Sequence, residues 1–225
     1  MVKILFEDNH LIAVIKKSGQ TVQPEPGKPL SLEEEVKAYL KVKYQKPGEV
    51  FLGVIHRLDM PVGGIVIFAR TSKALTRMNE MFQKREVQKY YTTWVEGIPT
   101  STSGQLHHWL RRDEHKNFTK AFSSEVKGSE EAKLNYKILK TEGKFSLLEI
   151  ELLTGRKHQI RAQLSALGYP IMGDNKYGAA TVFKDQSIAL QATKLAFEHP
   201  VSKEFLNLII TELKFNKSFI KLNNS

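Results

Sequence analysis

In the stretch FSLLEIELLTGRKHQIRAQLSALGYP, residues 145–170, the spacing of apolar residues changes period within a few positions. Leu148, Ile150 and Leu152 alternate with Glu149 and Glu151, the mark of a strand with one buried face. Ile160, Leu164 and Leu167 then fall on one side of a helix, Gly168 suits the left-handed residue after it, and Pro170 stops it. That strand runs straight into the helix, but along the whole chain the order of strand and helix signals is mixed rather than regularly alternating, which makes the chain α+β.

The other segments extend this frame. KILFEDNHLIAVIKK reads as a hairpin turning at Asp8-Asn9, and Gln23 to Leu30 as a loop rich in Pro and Gly. Ser31-Leu32-Glu33-Glu34 matches a capping box, followed by a helix to about Tyr44 with Leu32, Val36 and Leu40 on one face. Gly64 to Arg70 reads as a strand, Ser72 to Arg85 as a helix on Leu75, Met78 and Phe82, and Lys89 to Gly97 as a strand rich in aromatic and β-branched residues. Phe205 to Leu213 is the last expected strand. The polar stretch from Ser101 to Lys133 is expected to be a loop-rich insertion of the sheet. These elements predict one domain over residues 1–225, built on a largely antiparallel sheet.

At 225 residues the chain is long enough to bury about 70% of the surface its unfolded form exposes. It has no cysteine, which excludes disulfides, thiolate metal sites and a cysteine nucleophile and fits a reducing compartment. Glu7, Asp8 and Asn9 interrupt any signal-peptide core, and no apolar run reaches the length of a membrane span, so a cytoplasmic location without membrane contact is expected. The 34 Lys and Arg against 24 Asp and Glu leave a net charge of +10, which favours a polyanionic partner such as nucleic acid.

Three separated segments carry polar residues that a plain fold does not need. The first is His56-Arg57-Leu58-Asp59, followed by Pro61-Val62-Gly63-Gly64 and an apolar run; it lacks the spacing of a kinase catalytic loop. The second is Lys89-Tyr90-Tyr91. The third is Thr154-Gly155-Arg156-Lys157-His158-Gln159-Ile160-Arg161, where cations gather at a helix start although they oppose its dipole. Exposed N–H groups with added cations suit phosphate. His107-His108 and His115 match no metal motif, and adjacent histidines in a strand face apart, so no metal is expected.

Together these segments resemble the RluA-type family of pseudouridine synthases. The likeness rests on HRLDMPVGGIVIFAR, KYYTTWVEG and LLTGRKHQIRAQLSALGYPIMGDNKYG, with further similarity in ILFEDNHLIAVIKKSGQTVQP and ALQATKLAFEHP. The resemblance implies a mixed, largely antiparallel sheet in two halves flanked by helices, with a central active-site cleft. It implies isomerisation of uridine to pseudouridine in structured RNA, ribosomal or transfer, without cofactor or metal. Asp59 matches the family's essential aspartate, Tyr91 its active-site tyrosine, and Arg161 the arginine that pairs with that aspartate. Arg57 matches the position implicated in filling the space of the flipped base, and Arg156, Lys157 and His158 are the expected phosphate contacts. Pro61-Val62-Gly63-Gly64 stands where the family usually has x-T-S-G, and Ile15-Lys16-Lys17 where it has N-K-P. The chain starts at the catalytic domain, so no separate RNA-binding domain is expected, and a monomer is the plain expectation. A non-catalytic RNA-binding protein on the same fold is the alternative reading; a nucleoside or glycoside hydrolase is weaker, because no second carboxylate pairs with Asp59.

Overall fold

In the computed structural model, which describes residues 2–213 and Phe215, the apolar runs around Asp8-Asn9 pair as antiparallel strands β1 (Lys3–Glu7) and β2 (Leu11–Lys16). Asp8 sets the turn: its Oδ1 accepts the N–H groups of His10 and Leu11, both at 2.7 Å, so the side chain replaces the backbone as acceptor. Two compact units are built from the chain, one from residues 2–87 and 193–211 and the other from residues 88–192.

In the first unit, α1 (Leu32–Lys43) begins at the expected capping box: Ser31 Oγ accepts the Glu34 N–H at 3.3 Å and Glu34 Oε2 accepts the Ser31 N–H at 2.8 Å. Short β3 (Gly53–Val54) and β2 both pair antiparallel with β4 (Gly63–Ala69). Every residue of β4, and all of β2 but Ile15, is buried. Cover on both faces explains why LIAVI and GGIVIFA read as continuous apolar runs. The helix α2 (Ser72–Gln83) is capped by Thr71, whose Oγ1 accepts the Ala74 N–H at 3.2 Å. Its Ala74 and Met78 join Leu11, Ile65, Ile67 and Phe197 in one core.

The second unit holds β5 (Gln88–Glu96), β6 (Ser103–Asp113), β7 (Phe118–Phe122), β8 (Glu130–Glu142) and β9 (Phe145–Leu152), in the spatial order β5-β9-β8-β6-β7 with antiparallel neighbours. Gly143, at φ +56°, makes the two-residue turn between β8 and β9, a conformation that L side chains resist. The strand that opened the sequence reading is β9, with Leu148 and Ile150 fully buried. It leads to α3 (Gln159–Ala166), which ends at Gly168 with φ +89°. The last strands are β10 (Leu190–Glu198) and β11 (Phe205–Ile209), paired antiparallel from Lys194 onward.

Residues 101–133 correct the sequence expectation. They contain β6, β7 and the start of β8 rather than a loop-rich insertion. The alternation is present, with Leu106 and Leu110 buried, but half-buried His108 stands between them on the inward side. Polar residues at inward positions hid the period. The final strand also ends at Ile209, short of the expected Leu213, with the Ile210 N–H still donating to the Thr193 carbonyl at 2.8 Å. No helix among the described residues is long and apolar enough to cross a membrane.

The capping geometry yields a measurable expectation. Ser31→Ala lowers stability by about 1 kcal/mol, whereas Ser31→Gly costs only a few tenths. Urea unfolding should show the midpoint falling for the alanine variant with an unchanged slope.

Candidate active site

Asp59 sits in the first unit, half-buried, at the head of the turn that enters β4. The Val62 N–H closes that turn on the Asp59 carbonyl at 3.0 Å. Leu58 and Val62, 7% and 3% exposed, sink into the core on either side and leave the carboxylate between two fixed points. His56 ties the segment to β4: its Nε2 accepts the Ile67 N–H at 3.1 Å, and its ring stacks on Phe82 with centroids 5.2 Å apart. That bond leaves the ring proton on Nδ1 and gives His56 a structural role. Arg57 is exposed, its Nη1 3.4 Å from Gln23 Oε1.

In the second unit the β9–α3 junction is held by side chains. Thr154 Oγ1 accepts the Lys133 N–H at 2.9 Å and donates to Gln159 Oε1 at 2.8 Å. The same Gln159 oxygen accepts the Arg156 N–H at 3.0 Å, and its Nε2 donates to the Lys133 carbonyl at 3.0 Å. Gln159 thus staples the loop to β8. From α3, Gln163 Nε2 reaches the Leu106 and Ala132 carbonyls at 3.3 and 3.2 Å, which seats the helix on one face of the sheet. Tyr91 lies on that face, because it pairs with buried Ile150 on β9. Tyr90 points the other way and donates its hydroxyl to Glu151 Oε1 at 3.2 Å.

Arg161, on the first turn of α3, is 5% exposed. Its Nε and Nη2 donate to Asp174 Oδ2 and Oδ1 at 2.7 and 2.8 Å, a two-pronged pair. Its guanidinium also lies 4.7 Å from the centre of the Tyr177 ring. Asp174 is 2% exposed and follows Gly173, at φ +84°, where an added Cβ would stand 2.6 Å from the Phe183 ring and 2.8 Å from the Ser187 carbonyl. Tyr177 Oη accepts the Thr119 N–H at 2.9 Å and faces His158 Nδ1 at 2.9 Å. Burial pushes the Tyr177 hydroxyl above its ordinary range, so it serves here as a neutral partner. The cation opposing the helix dipole is therefore met by a buried carboxylate from the GDNKYG segment.

These placements revise the sequence reading. His158, grouped there with the phosphate contacts, is 7% exposed and packs on Tyr177. Lys157 is exposed, and Arg156 is half-buried with its Nη1 2.6 Å from Glu130. Asp174, given no role in the sequence reading, is a partner of Arg161. No local pattern pointed to that pairing, since thirteen residues separate the two. His107 and His108 face apart as expected, towards Glu131 and Gln163.

Truncating one member of a buried ion pair leaves the other charge without that partner. Asp174→Ala is expected to destabilise the protein by about 3–5 kcal/mol, and a double replacement by apolar residues of similar volume, Arg161→Met with Asp174→Leu, to recover most of that loss. Chemical denaturation of the single and double variants measures the difference.

Residues 10–166 match the model of a protein family described as RNA pseudouridylate synthase. The chain is similar to YhcT of Bacillus subtilis, an RNA pseudouridine synthase that is itself uncharacterized: the two are 33% identical over 216 residues, 94% of this chain and 68% of the relative. It is also 30% identical over 216 residues to the dual-specificity RNA pseudouridine synthase RluA of Vibrio cholerae, covering 93% of this chain and 82% of that one. Among solved structures, human RNA pseudouridylate synthase domain containing 4 shares the fold, with a TM-score of 0.78 at 23% identity over 97% of this chain and 90% of that one.

Proposed function

Because this chain belongs to the RNA pseudouridylate synthase family, whose members are isomerases, we propose that it converts particular uridines of structured ribosomal or transfer RNA to pseudouridine with Asp59 as the reactive carboxylate. The observation that carries the reading is the family match over residues 10–166, which includes Asp59, Tyr91 and Arg161. The carboxylate's setting supports it: half-buried, at the head of a turn gripped on both sides by core residues.

The reaction breaks the N1–C1′ bond and forms a C5–C1′ bond. The C5 proton leaves, N1 gains a proton, and the product is an isomer of the substrate. A stacked base is out of reach, so the nucleotide is extruded at a cost of a few kcal/mol. Arg57, exposed beside the aspartate, is assigned to fill the vacated space and contact phosphate. Tyr91 presents a flat face to the uracil, worth roughly 1–3 kcal/mol by stacking, and its hydroxyl serves as base for the C5 proton. Asp59 acts as the anion, on the sugar or the base, and Arg161 supplies positive charge to the same turnover. Lys157 and Arg156 contact phosphates, and Lys89, whose Nζ lies beside Gly155, adds a cation at the same junction.

The test is tritium release from RNA carrying 5-tritiated uridine. Asp59→Asn should abolish release while RNA affinity stays within a few-fold; release at the wild-type rate rejects Asp59 as the reactive group. Salt-dependent binding with no pseudouridine formed in any cellular RNA points instead to a non-catalytic RNA-binding protein. Mapping pseudouridines in total RNA from deletion and wild-type strains identifies the substrate. Lys157→Ala should reduce the slope of log affinity against log salt by about 0.7–0.9, the value of one phosphate contact.

A further inference from the structure

The His107-His108 pair matches no metal motif, yet the strand that carries it, β6, has a second face that the proposed reaction leaves unused. Residues directly opposite each other in an antiparallel pair share one face of the sheet. Trp109 stands opposite Phe122 of β7 and Glu131 of β8, Arg111 opposite Lys120, and His107 opposite Lys133. These side chains gather on the side of the sheet away from α3, because His108 and its contact with Gln163 of α3 lie on the other. Tyr91 and Arg161 belong to the α3 side.

Rings and cations alternate across this face. The His107 and Trp109 rings lie 4.5 Å apart between centroids, tilted by 31°. The Arg111 guanidinium and the Lys120 ammonium each lie 5.2 Å from the centre of the Phe122 ring. His107, Arg111 and Lys120 are exposed, and Trp109 and Phe122 are half-buried. The acids are already engaged: Glu131 is met by Lys133 at 2.6 Å and His107 at 3.1 Å, and Asp113 Oδ1 accepts the Lys116 N–H at 3.1 Å in the hairpin turn. Arg111 and Lys120 have no acidic partner among the described residues.

The core of a protein–protein interface is depleted of charge, whereas here cations stand among the rings. Unpaired RNA fits that mixture, since its bases stack on aromatic side chains while its phosphates seek cations. A duplex keeps its base faces covered and gains nothing from the rings. We propose that this face of β6, β7 and β8 is a second RNA surface, which stacks unpaired bases on Trp109 and Phe122 and holds their phosphates with Arg111 and Lys120. The inference rests on RNA as the partner, as read above, and not on the reaction at Asp59. It makes an unpaired segment away from the reacting uridine part of what the protein recognises.

The probe is a single-stranded oligoadenylate of about 15 nucleotides, near the span of one stacking groove, which has no uridine to offer the reaction site. The chain has two tryptophans, and the other, Trp94, is on β5. Oligoadenylate should therefore quench the fluorescence of the wild-type protein, and Trp109→Phe should keep most of the affinity in filter binding while losing most of the quench. Trp109→Ala should weaken binding about 10-fold, the scale of one stacked base, and leave binding of a G·C duplex of the same length unchanged. Replacing Arg111 and Lys120 together by Gln should lower the slope of log affinity against log salt by about 1.4, the single-strand value for two phosphate contacts. Tritium release at saturating substrate RNA should stay within a few-fold in every variant, each checked for folding by circular dichroism. If Trp109→Ala does not fold, Trp109→Thr, better suited to a strand, takes its place. Unchanged oligoadenylate affinity in the folded variant, an equal loss of duplex binding, or a quench that survives in Trp109→Phe overturns the proposal. Absence of tritium release from the wild-type protein counts against the reading of Asp59, while the oligoadenylate still decides this contact.

Discussion

Taking a guanidinium out of water costs several kcal/mol unless a carboxylate in good geometry receives it and the remaining protons find acceptors. The second unit is organised by that requirement at Arg161. Asp174 meets it with both oxygens, and Asp174 can stand there only because Gly173 adopts a left-handed conformation against Phe183 and the Ser187 carbonyl. Tyr177 lies under the guanidinium and is itself fixed through its hydroxyl by the Thr119 N–H of β7. One buried cation thus ties α3, residues 173–177 and the β7 edge into a single arrangement. The pair is a geometric device more than a stabilising one, since an apolar replacement of the same volume would hold the core as well.

The first unit solves the same problem with different material. Its buried cation, Lys16, is received by backbone carbonyls, and these come from the loop after β2 and from the Asp59 turn. Carbonyls cannot rotate away as a surface carboxylate can, so the geometry is set by the chain path. The loss of two hydroxyls at Val62 and Gly63, relative to the usual motif, then has a physical reading. Val62 is 3% exposed and serves the core, while Gly63 opens room for residues 16–18 to approach the turn.

Much of this was legible in the residues, and the exceptions share a cause. The capping box at Ser31 and Glu34, the strand-to-helix switch at residues 145–170 and the glycine after α3 are local signals, each decided within a few positions, and each stands where expected. The hairpin β6–β7 was missed because half-buried His108 occupies an inward position and breaks an otherwise regular alternation. Lys16 was noted only as part of Ile15-Lys16-Lys17 at the N-K-P position, since nothing near it in sequence announces that the Met60 carbonyl, 44 residues away, accepts a hydrogen bond from it. The burial of His158 was hidden for the converse reason: a cationic neighbourhood suggested exposure, and only the position of Tyr177 reveals a buried ring. Long-range polar pairing is what sequence periodicity does not encode.

The cations therefore divide into two physical kinds. Arg57 and Lys157 are exposed, so salt screens their charges, and in the proposed function they are the groups that order on RNA binding and give it sensitivity to ionic strength. Arg161 and Lys16 are shielded from solvent and already ordered by Asp174 and by a carbonyl cage, so their positions are set before any ligand arrives. In the proposed isomerisation Asp59 and Tyr91 carry the bond and proton changes, and placement and electrostatics lower the barrier further. Fixed interior cations suit the chemical step, and mobile surface cations suit the capture of a flexible polyanion.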